Sequence, residues 1–430
     1  MKLSKLRRTL LLLAMLGWGF HVPAQTPADL RLGELLNGGD LFRLRDEYPL
    51  LRDSLSIGML DLLARSQLGV GFNRPEKAAP ALDSLLMLHQ EALGAESTLS
   101  MAALRAMNLL NLGLYAQAGA AAGDLVRVLE KSLPFESYFG LVFVERIGKA
   151  LADVPAPHLK RLDRTVTVPM RYEAVGRGHH YYIPVEVNGQ RRDFIFDTGC
   201  SFGCFVSEDY AREVGLKVVA DSIPVSGMSV GFVKLATADS LRVGELVYHH
   251  PFFLVAPPDP EVDAEFAFDG VIGYDLLRAV GEVEIDNEAG VFRFPAQLSD
   301  GEPDMYLSGN IPRVRIEYGG EPFELGFDTG NVKSDLDSGF AQRFPEAVAG
   351  LARHTTRRGG FGGIEEVEAM TLPEFRFRAA GRDIALRDTE VICTGPGDGA
   401  RPYNGSLGAD FVRSFRRLTI SYNRMFIRGE

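Results

Sequence analysis

The back half of this 430-residue chain is written twice, and that constrains the fold more than any other feature. Val185-Glu186-Val187-Asn188-Gly189 followed by Phe194-Ile195-Phe196-Asp197-Thr198-Gly199 recurs 131 positions later. The second copy reads Ile316-Glu317-Tyr318-Gly319-Gly320, then Leu325-Gly326-Phe327-Asp328-Thr329-Gly330. Downstream, Asp269-Gly270-Val271-Ile272-Gly273-Tyr274-Asp275-Leu276-Leu277-Arg278 is matched by Asn404-Gly405-Ser406-Leu407-Gly408-Ala409-Asp410-Phe411-Val412-Arg413. The closing segments correspond as well, Glu282-Val283-Glu284-Ile285 against Arg417-Leu418-Thr419-Ile420. Order is kept throughout, so the region is a tandem duplication of one domain.

That domain is rich in β-structure. Thr165-Val166-Thr167-Val168, Tyr182–Val187 and Asp193–Phe196 alternate or concentrate apolar residues in short runs, and Asn188-Gly189 between two of them signals a hairpin. Each copy then drives an apolar strand into Asp-Thr-Gly. The glycine permits a tight turn with close backbone approach, and the threonine hydroxyl can stiffen it. One such turn is commonly a loop aspartate capping its own backbone. Two in a duplicated fold are related by a pseudo-twofold axis that brings the carboxylates face to face. Like charges a few ångströms apart do not both ionise cheaply, so the pair holds one proton and offers a base and an acid together.

These paired motifs resemble the retropepsin-like and pepsin-like aspartic proteases. The resemblance covers Phe194–Ser201 with Asp269–Leu277, and Phe327–Gly330 with Asn404–Val412. It implies that Asp197 and Asp328 hold a catalytic water, that Thr198 and Thr329 interlock the two turns, and that Gly199 and Gly330 complete them. It also implies that Ser201 orients its own aspartate. Val271-Ile272-Gly273 and Ser406-Leu407-Gly408 stand where that family runs a segment behind each turn. Members cover the cleft with hairpin flaps; Gly227, Met228, Gly231 and Phe232 in the first copy and Gly360, Phe361 and Gly362 in the second are the candidates. One departure is plain: Val332 replaces the hydroxyl that should follow the second turn, leaving Asn331, Lys333 or Ser334 as substitutes.

The front of the chain is different. From Pro27 to about Pro157, leucines such as Leu30, Leu32, Leu35, Leu36, Leu60, Leu62, Leu63 and Leu68 recur at helical spacings. Two helix pairs, from Ala64 and from Ala103, repeat at about 42 residues, similar to tetratricopeptide-type hairpins. Such a front would serve as a partner-binding platform, a pro-segment or a buttress. Ahead of it, Lys2, Lys5, Arg7 and Arg8, then an apolar run to Phe20 and Val22-Pro23-Ala24, have the form of a secretory signal peptide. Removing those four cations leaves 42 basic against 57 acidic residues, a formal net of -15. An acidic chain of this kind is a poor partner for nucleic acid or anionic membranes.

Cys200, Cys204 and Cys393 are too few for a disulfide framework and are expected as small buried thiols. His179-His180 and His249-His250 lack partners at metal-ligand spacing, and Gly395–Gly399 lacks the lysine of a phosphate loop. No metal and no cofactor is expected.

The expected architecture is a signal peptide (1–24), an all-α helical-hairpin domain (26–157), and a mainly β bilobal aspartic-protease fold of two homologous closed lobes (165–297 and 305–430). The expected activity is that of a bacterial, exported aspartic endopeptidase, periplasmic or secreted, acting on a peptide or protein, with the helical domain open to a protein partner. The rival expectation is a weakened or inactive peptide-binding protein that keeps the cleft.

Overall fold

A computed structural model describes residues 25–175, 178–265, 268–393 and 404–430. The expected leader and Gly395–Gly399 lie outside the described residues. The chain forms two compact units, one ending at Asp61 and one running from Leu62 to Glu430. Among the described residues no helix is long and apolar enough to cross a membrane.

In the first unit, helices α1 (Pro27–Gly38) and α2 (Leu41–Leu51) pack together. Thr26 and Asp29 form a capping box at the start of α1. Asp29 is buried and also accepts from the Ser56 and Ile57 N–H groups at 3.0 and 3.1 Å. Burial opposes its charge, but the Ser56 hydroxyl and the N–H donors outweigh it and hold the carboxyl well below the usual range. A depressed carboxylate stabilises the fold above its unfolded-state pKa, and that contribution fades as pH falls through the folded value. Asp29→Ala is therefore expected to raise amide-exchange rates at Ser56 and Ile57 severalfold at neutral pH, an effect that shrinks in strong acid.

The helical pairs expected from the 42-residue spacing form. Helix α3 (Gly58–Gly71) leads by a tight turn into α4 (Pro75–Leu88), and α5 (Gln90–Asn111) leads into α6 (Tyr115–Leu129). Helix α7 (Phe139–Ala150) closes the series against α6. The contact is close because glycines face it: a Cβ on Gly148 would sit 2.4 Å from the Gly119 nitrogen. Glycine inside a helix costs up to about 1 kcal/mol, which this backbone approach offsets. From Leu62 onward the helices share one compact unit with the strands. Phe143, Val144 and Ile147 of α7 join Ile223, Val233, Leu235, Phe252 and Leu254 in one apolar core.

The β-region follows the duplication. In the first copy, strand Gln190–Phe196 lies between Gly178–Val187, antiparallel, and Gly270–Ile272, parallel. Gly270–Ile272 then pairs antiparallel with Cys204–Ser207. In the second, Glu321–Phe327 lies between Ile311–Tyr318, antiparallel, and Gly405–Leu407, parallel, which pairs antiparallel with Asp335–Leu336. The Asn188-Gly189 hairpin forms as expected, both residues taking the left-handed φ that its turn requires.

A third, five-stranded sheet draws strands from both copies. Glu282–Asp286 pairs with Arg417–Ser421, Val283 opposite Ile420, and the buried faces of these strands merge the copies into one core. The two Asp-Thr-Gly turns sit above that shared core.

Candidate active site

Each turn begins where a buried strand ends. Phe194, Phe196, Leu325 and Phe327 are fully buried, so the chain can turn toward solvent only after them, at Asp197 and Asp328. The segment crossing behind each turn holds it in place. Asp197 N–H donates to the Ile272 carbonyl at 3.3 Å, and Asp328 N–H to the Leu407 carbonyl at 2.9 Å.

The threonines lock the two turns together. Thr198 Oγ1 donates to the Phe327 carbonyl and Thr329 Oγ1 to the Phe196 carbonyl, both at 2.7 Å. In return, Thr198 N–H donates to Thr329 Oγ1 at 3.1 Å and Thr329 N–H to Thr198 Oγ1 at 3.0 Å. Both side chains are fully buried, so no water substitutes for a missing partner. Replacing one hydroxyl with a methyl leaves a carbonyl and an N–H unsatisfied, each costing about 1–3 kcal/mol. Thr198→Val is accordingly expected to lower unfolding free energy by about 2–5 kcal/mol in a denaturant titration.

Across the lock, the carboxyl groups of Asp197 and Asp328 hydrogen-bond each other. Their surroundings differ. Asp197 Oδ1 accepts three main-chain N–H bonds, from Gly199 at 2.7 Å, Cys200 at 3.2 Å and, across the axis, Gly330 at 3.3 Å. Asp328 Oδ1 accepts from Asn331 N–H at 3.2 Å, and the Gly330 N–H also favours its charged form. Burial raises Asp197 above the ordinary carboxylate range, while the Asp328 hydrogen bond and the N–H donors counter it. Burial and then the Asp197 charge push Asp328 much further up. The main-chain donors thus favour the charged form at Asp197, burial beside that charge favours the protonated form at Asp328, and the two titrate as a unit.

The glycines are required by this approach. A Cβ on Gly199 would lie 2.4 Å from Asp328 Cγ, and one on Gly330 2.6 Å from Asp197 Cγ. Each turn is bare so that the opposite carboxyl can come close.

Ser201 lies near the site without the expected link. Among the described residues no hydrogen bond joins its hydroxyl to Asp197, whose partners besides Asp328 are main-chain donors; the Ser201 carbonyl accepts from Asn310 at 3.2 Å. In the second copy Lys333 is exposed and its charge bears on Asp410. Asn331 supplies its backbone N–H to Asp328, while its side chain reaches Asp335 at 3.4 Å. Ser334 instead braces the crossing segment: its hydroxyl donates to Asp410 at 2.6 Å and accepts from Gly408 N–H at 2.9 Å.

Asp410 and its counterpart Asp275 are residues that sequence reasoning passed over. Asp275 accepts from Gly203 N–H at 2.5 Å, as Asp410 accepts from Ser334 N–H at 2.8 Å. Each ties the loop after the Asp-Thr-Gly turn to the helix after the crossing strand. The signal was present, because both copies read Gly-x-Asp at this place.

The flap candidates lie on two hairpins, Lys217–Ser226 with Val230–Thr237 and Arg353–Gly360 with Gly363–Ala379. Their tips meet. Met228 N–H donates to the Phe361 carbonyl at 2.7 Å, and the Ser229 hydroxyl to the Gly362 carbonyl at 2.8 Å. A Cβ on Gly227 would fall 2.3 Å from the Phe361 oxygen, and Gly231 lies under the Phe361 ring. Gly360 approaches the Met228 side chain. Phe361 packs edge-on to Phe205, whereas Phe232 is half exposed and leans on Phe135.

The three cysteines are free, and burial pushes the Cys204 thiol up to about 12. His249 stacks on His158 at 4.9 Å, with His250 beside them. Among the described residues no three His, Cys, Asp or Glu side chains are arranged to hold a metal ion.

Comparison with known proteins bears on this geometry. A family model described as aspartyl protease matches residues 183–276, the stretch that carries Asp197, its turn and its crossing strand. That match supports an aspartic protease family and a general protease function for the segment. The crystal structure of conglutin gamma, a basic 7S globulin from lupine seeds, is similar over 61% of this chain and 94% of its own, at 10% identity and a TM-score of 0.38. No curated protein matches the chain.

Proposed function

We propose that this chain is an exported aspartic endopeptidase that hydrolyses peptide bonds between two homologous lobes, with Asp197 and Asp328 as the catalytic pair. The observation that carries it is the hydrogen-bonded pair of carboxyls held unequally by their surroundings. Asp197, ionised, accepts a proton from the attacking water. Asp328, protonated, donates to the carbonyl oxygen of the scissile bond. The neutral tetrahedral diol then collapses: the leaving nitrogen takes the water-derived proton from Asp197, one hydroxyl of the diol returns its proton to Asp328, and the C–N bond breaks to give acid and amine. The pair has then taken up two protons and given up two, and returns to its starting state.

The hairpin tips, already bonded to one another, serve as a two-piece lid over an extended peptide. Export follows from the form of residues 1–24. The rival, a cleft that binds peptides without cutting them, rests on Val332, which leaves Asp328 without a flanking hydroxyl. Asp197 has no such hydroxyl bond either, and main-chain N–H groups fill that place in both copies. This favours the catalytic reading. The test is hydrolysis of a mixed peptide library across pH by the wild-type protein and the two aspartate variants; binding without cleavage at every pH would overturn it.

A further inference from the structure

The two aspartate loops are alike in their own halves but unlike in what lies beneath them. In the first copy, Tyr274 N–H donates to the Cys200 carbonyl at 2.8 Å; in the second, Ala409 N–H donates to the Asn331 carbonyl at the same distance. The matched side chains differ in reach. The Tyr274 hydroxyl continues to Asn73 Oδ1 at 2.8 Å, and Ala409 has nothing to extend.

Asn73 sits in the turn between α3 and α4, in a left-handed conformation, and is buried. Its amide nitrogen also donates to the Tyr422 carbonyl at 2.8 Å. One repeat later, Asn111 closes α5 at the turn into α6. It exchanges two 3.0 Å hydrogen bonds with the side chain of buried Asn310, whose amide also donates to the Ser201 carbonyl. Arg278 donates to the Asn111 carbonyl. Corresponding turns of the two helical pairs therefore converge on one loop, Cys200-Ser201, and Cys200 supplies one of the N–H groups held on Asp197.

Resting on the protease reading above, we infer that Asn73 and Asn111 are positioning residues for catalysis, through which the helical pairs hold the Cys200 N–H on Asp197 and keep that aspartate the charged member of the pair. The helices are on this account a built-in part of the active site and not a removable pro-segment. Their grip is one-sided because only the base needs its charge fixed before the water attacks the carbonyl. Tyr422 reinforces the arrangement: it is fully buried beside Tyr274, within electrostatic reach of both aspartates, and its backbone is fixed by Asn73.

The sign of the effect is defined. An N–H bonded to a carboxylate favours its charged form, so loosening that donor raises the pKa of Asp197. Activity needs Asp197 ionised, so the acid limb of the rate profile must move to higher pH. In full-length protein, on a fluorogenic peptide chosen from those the wild type cuts, Asn73→Ala and Asn111→Ala are each expected to shift that limb up by about 0.5–1 unit. Each is also expected to lower kcat about tenfold with KM little changed, as for a small displacement of a reacting group.

Arg105→Ala, which removes an exposed ion pair with Asp83 in the same helical region, is the control and leaves the limb in place. Asn111→Ser, smaller but still polar, serves if the alanine variant does not fold. A lowered melting temperature with an unmoved acid limb and unchanged kcat would mean the asparagines only brace the fold, and the inference falls. Wild-type inactivity, or cleavage indifferent to Asp197→Asn, overturns the protease reading itself; cleavage lost in Asp197→Asn with unmoved limbs overturns this inference alone.

Discussion

Asp197→Asn and Asp328→Asn are each expected to reduce kcat for peptide hydrolysis by about 10³-fold or more, since each removes one partner of a general acid–base pair. The amide keeps the size of the carboxyl, so the interlocked turns persist and circular dichroism stays unchanged. The wild-type profile is expected to be bell-shaped, with both limbs belonging to the pair. On the proposed mechanism its acid limb marks ionisation on the Asp197 side and its alkaline limb loss of the proton on the Asp328 side. Burial pushes both groups up, so the bell is expected above the ordinary carboxylate range.

The same shift makes a stability prediction of opposite sign. A carboxyl raised in the folded state stabilises the fold at low pH, and that contribution is lost as pH rises through the folded value. Once the pair loses its proton, the wild type bears the cost of two buried, opposed carboxylates. Asp328→Asn, neutral at every pH, is therefore expected to melt higher than wild type at pH values above the alkaline limb of the rate profile, with the difference closing as pH falls. Activity lost and stability gained in one variant is the signature of a site built for chemistry. A melting temperature below that of wild type at pH values above that limb would count against the proposed proton placement.

Gly199→Ala is expected to lower kcat by about 10²-fold while leaving the secondary structure intact. The added methyl would fall 2.4 Å from the Asp328 carboxyl carbon, closer than any real contact allows. Asp328 cannot yield by swinging into solvent without giving up its bond to Asp197 and the Asn331 N–H. The pair therefore separates and loses the shared proton. Gly330→Ala acts in the mirror sense on Asp197, at 2.6 Å. A screen of proton uptake shows the effect directly: the alkaline limb moves down as the Asp328 proton is released more easily. Wild-type kcat with an unaltered profile in both variants would mean that the carboxyls do not need this proximity.

Much of this was visible in the residues alone. The twinned Asp-Thr-Gly motifs gave the pair, the twinned Gly-bearing segments gave the crossing strands, and Asn188-Gly189 gave its hairpin. These are local patterns, and duplication doubles each signal. Ser201 was not legible in this way. Its hydroxyl stands in the position the resemblance implies yet makes no bond to Asp197, whose Oδ1 is held by main-chain donors from Gly199, Cys200 and Gly330. Asp275 and Asp410 were legible as a repeat, yet a repeat does not say what a side chain touches.

By itself the sequence determined that one β-unit occurs twice, that each carries an aspartate at the end of a buried strand, and that helices precede them. Periodicity and repetition record such things because they depend on neighbours along the chain. Only the tertiary structure decided which carboxyl the main-chain N–H groups surround, that the hairpin tips meet, and that Asn73 and Asn111 reach the Asp197 loop from turns far away in sequence. Those outcomes depend on burial and on hydrogen bonds between segments up to 349 residues apart, which leave no periodic trace in the order of amino acids.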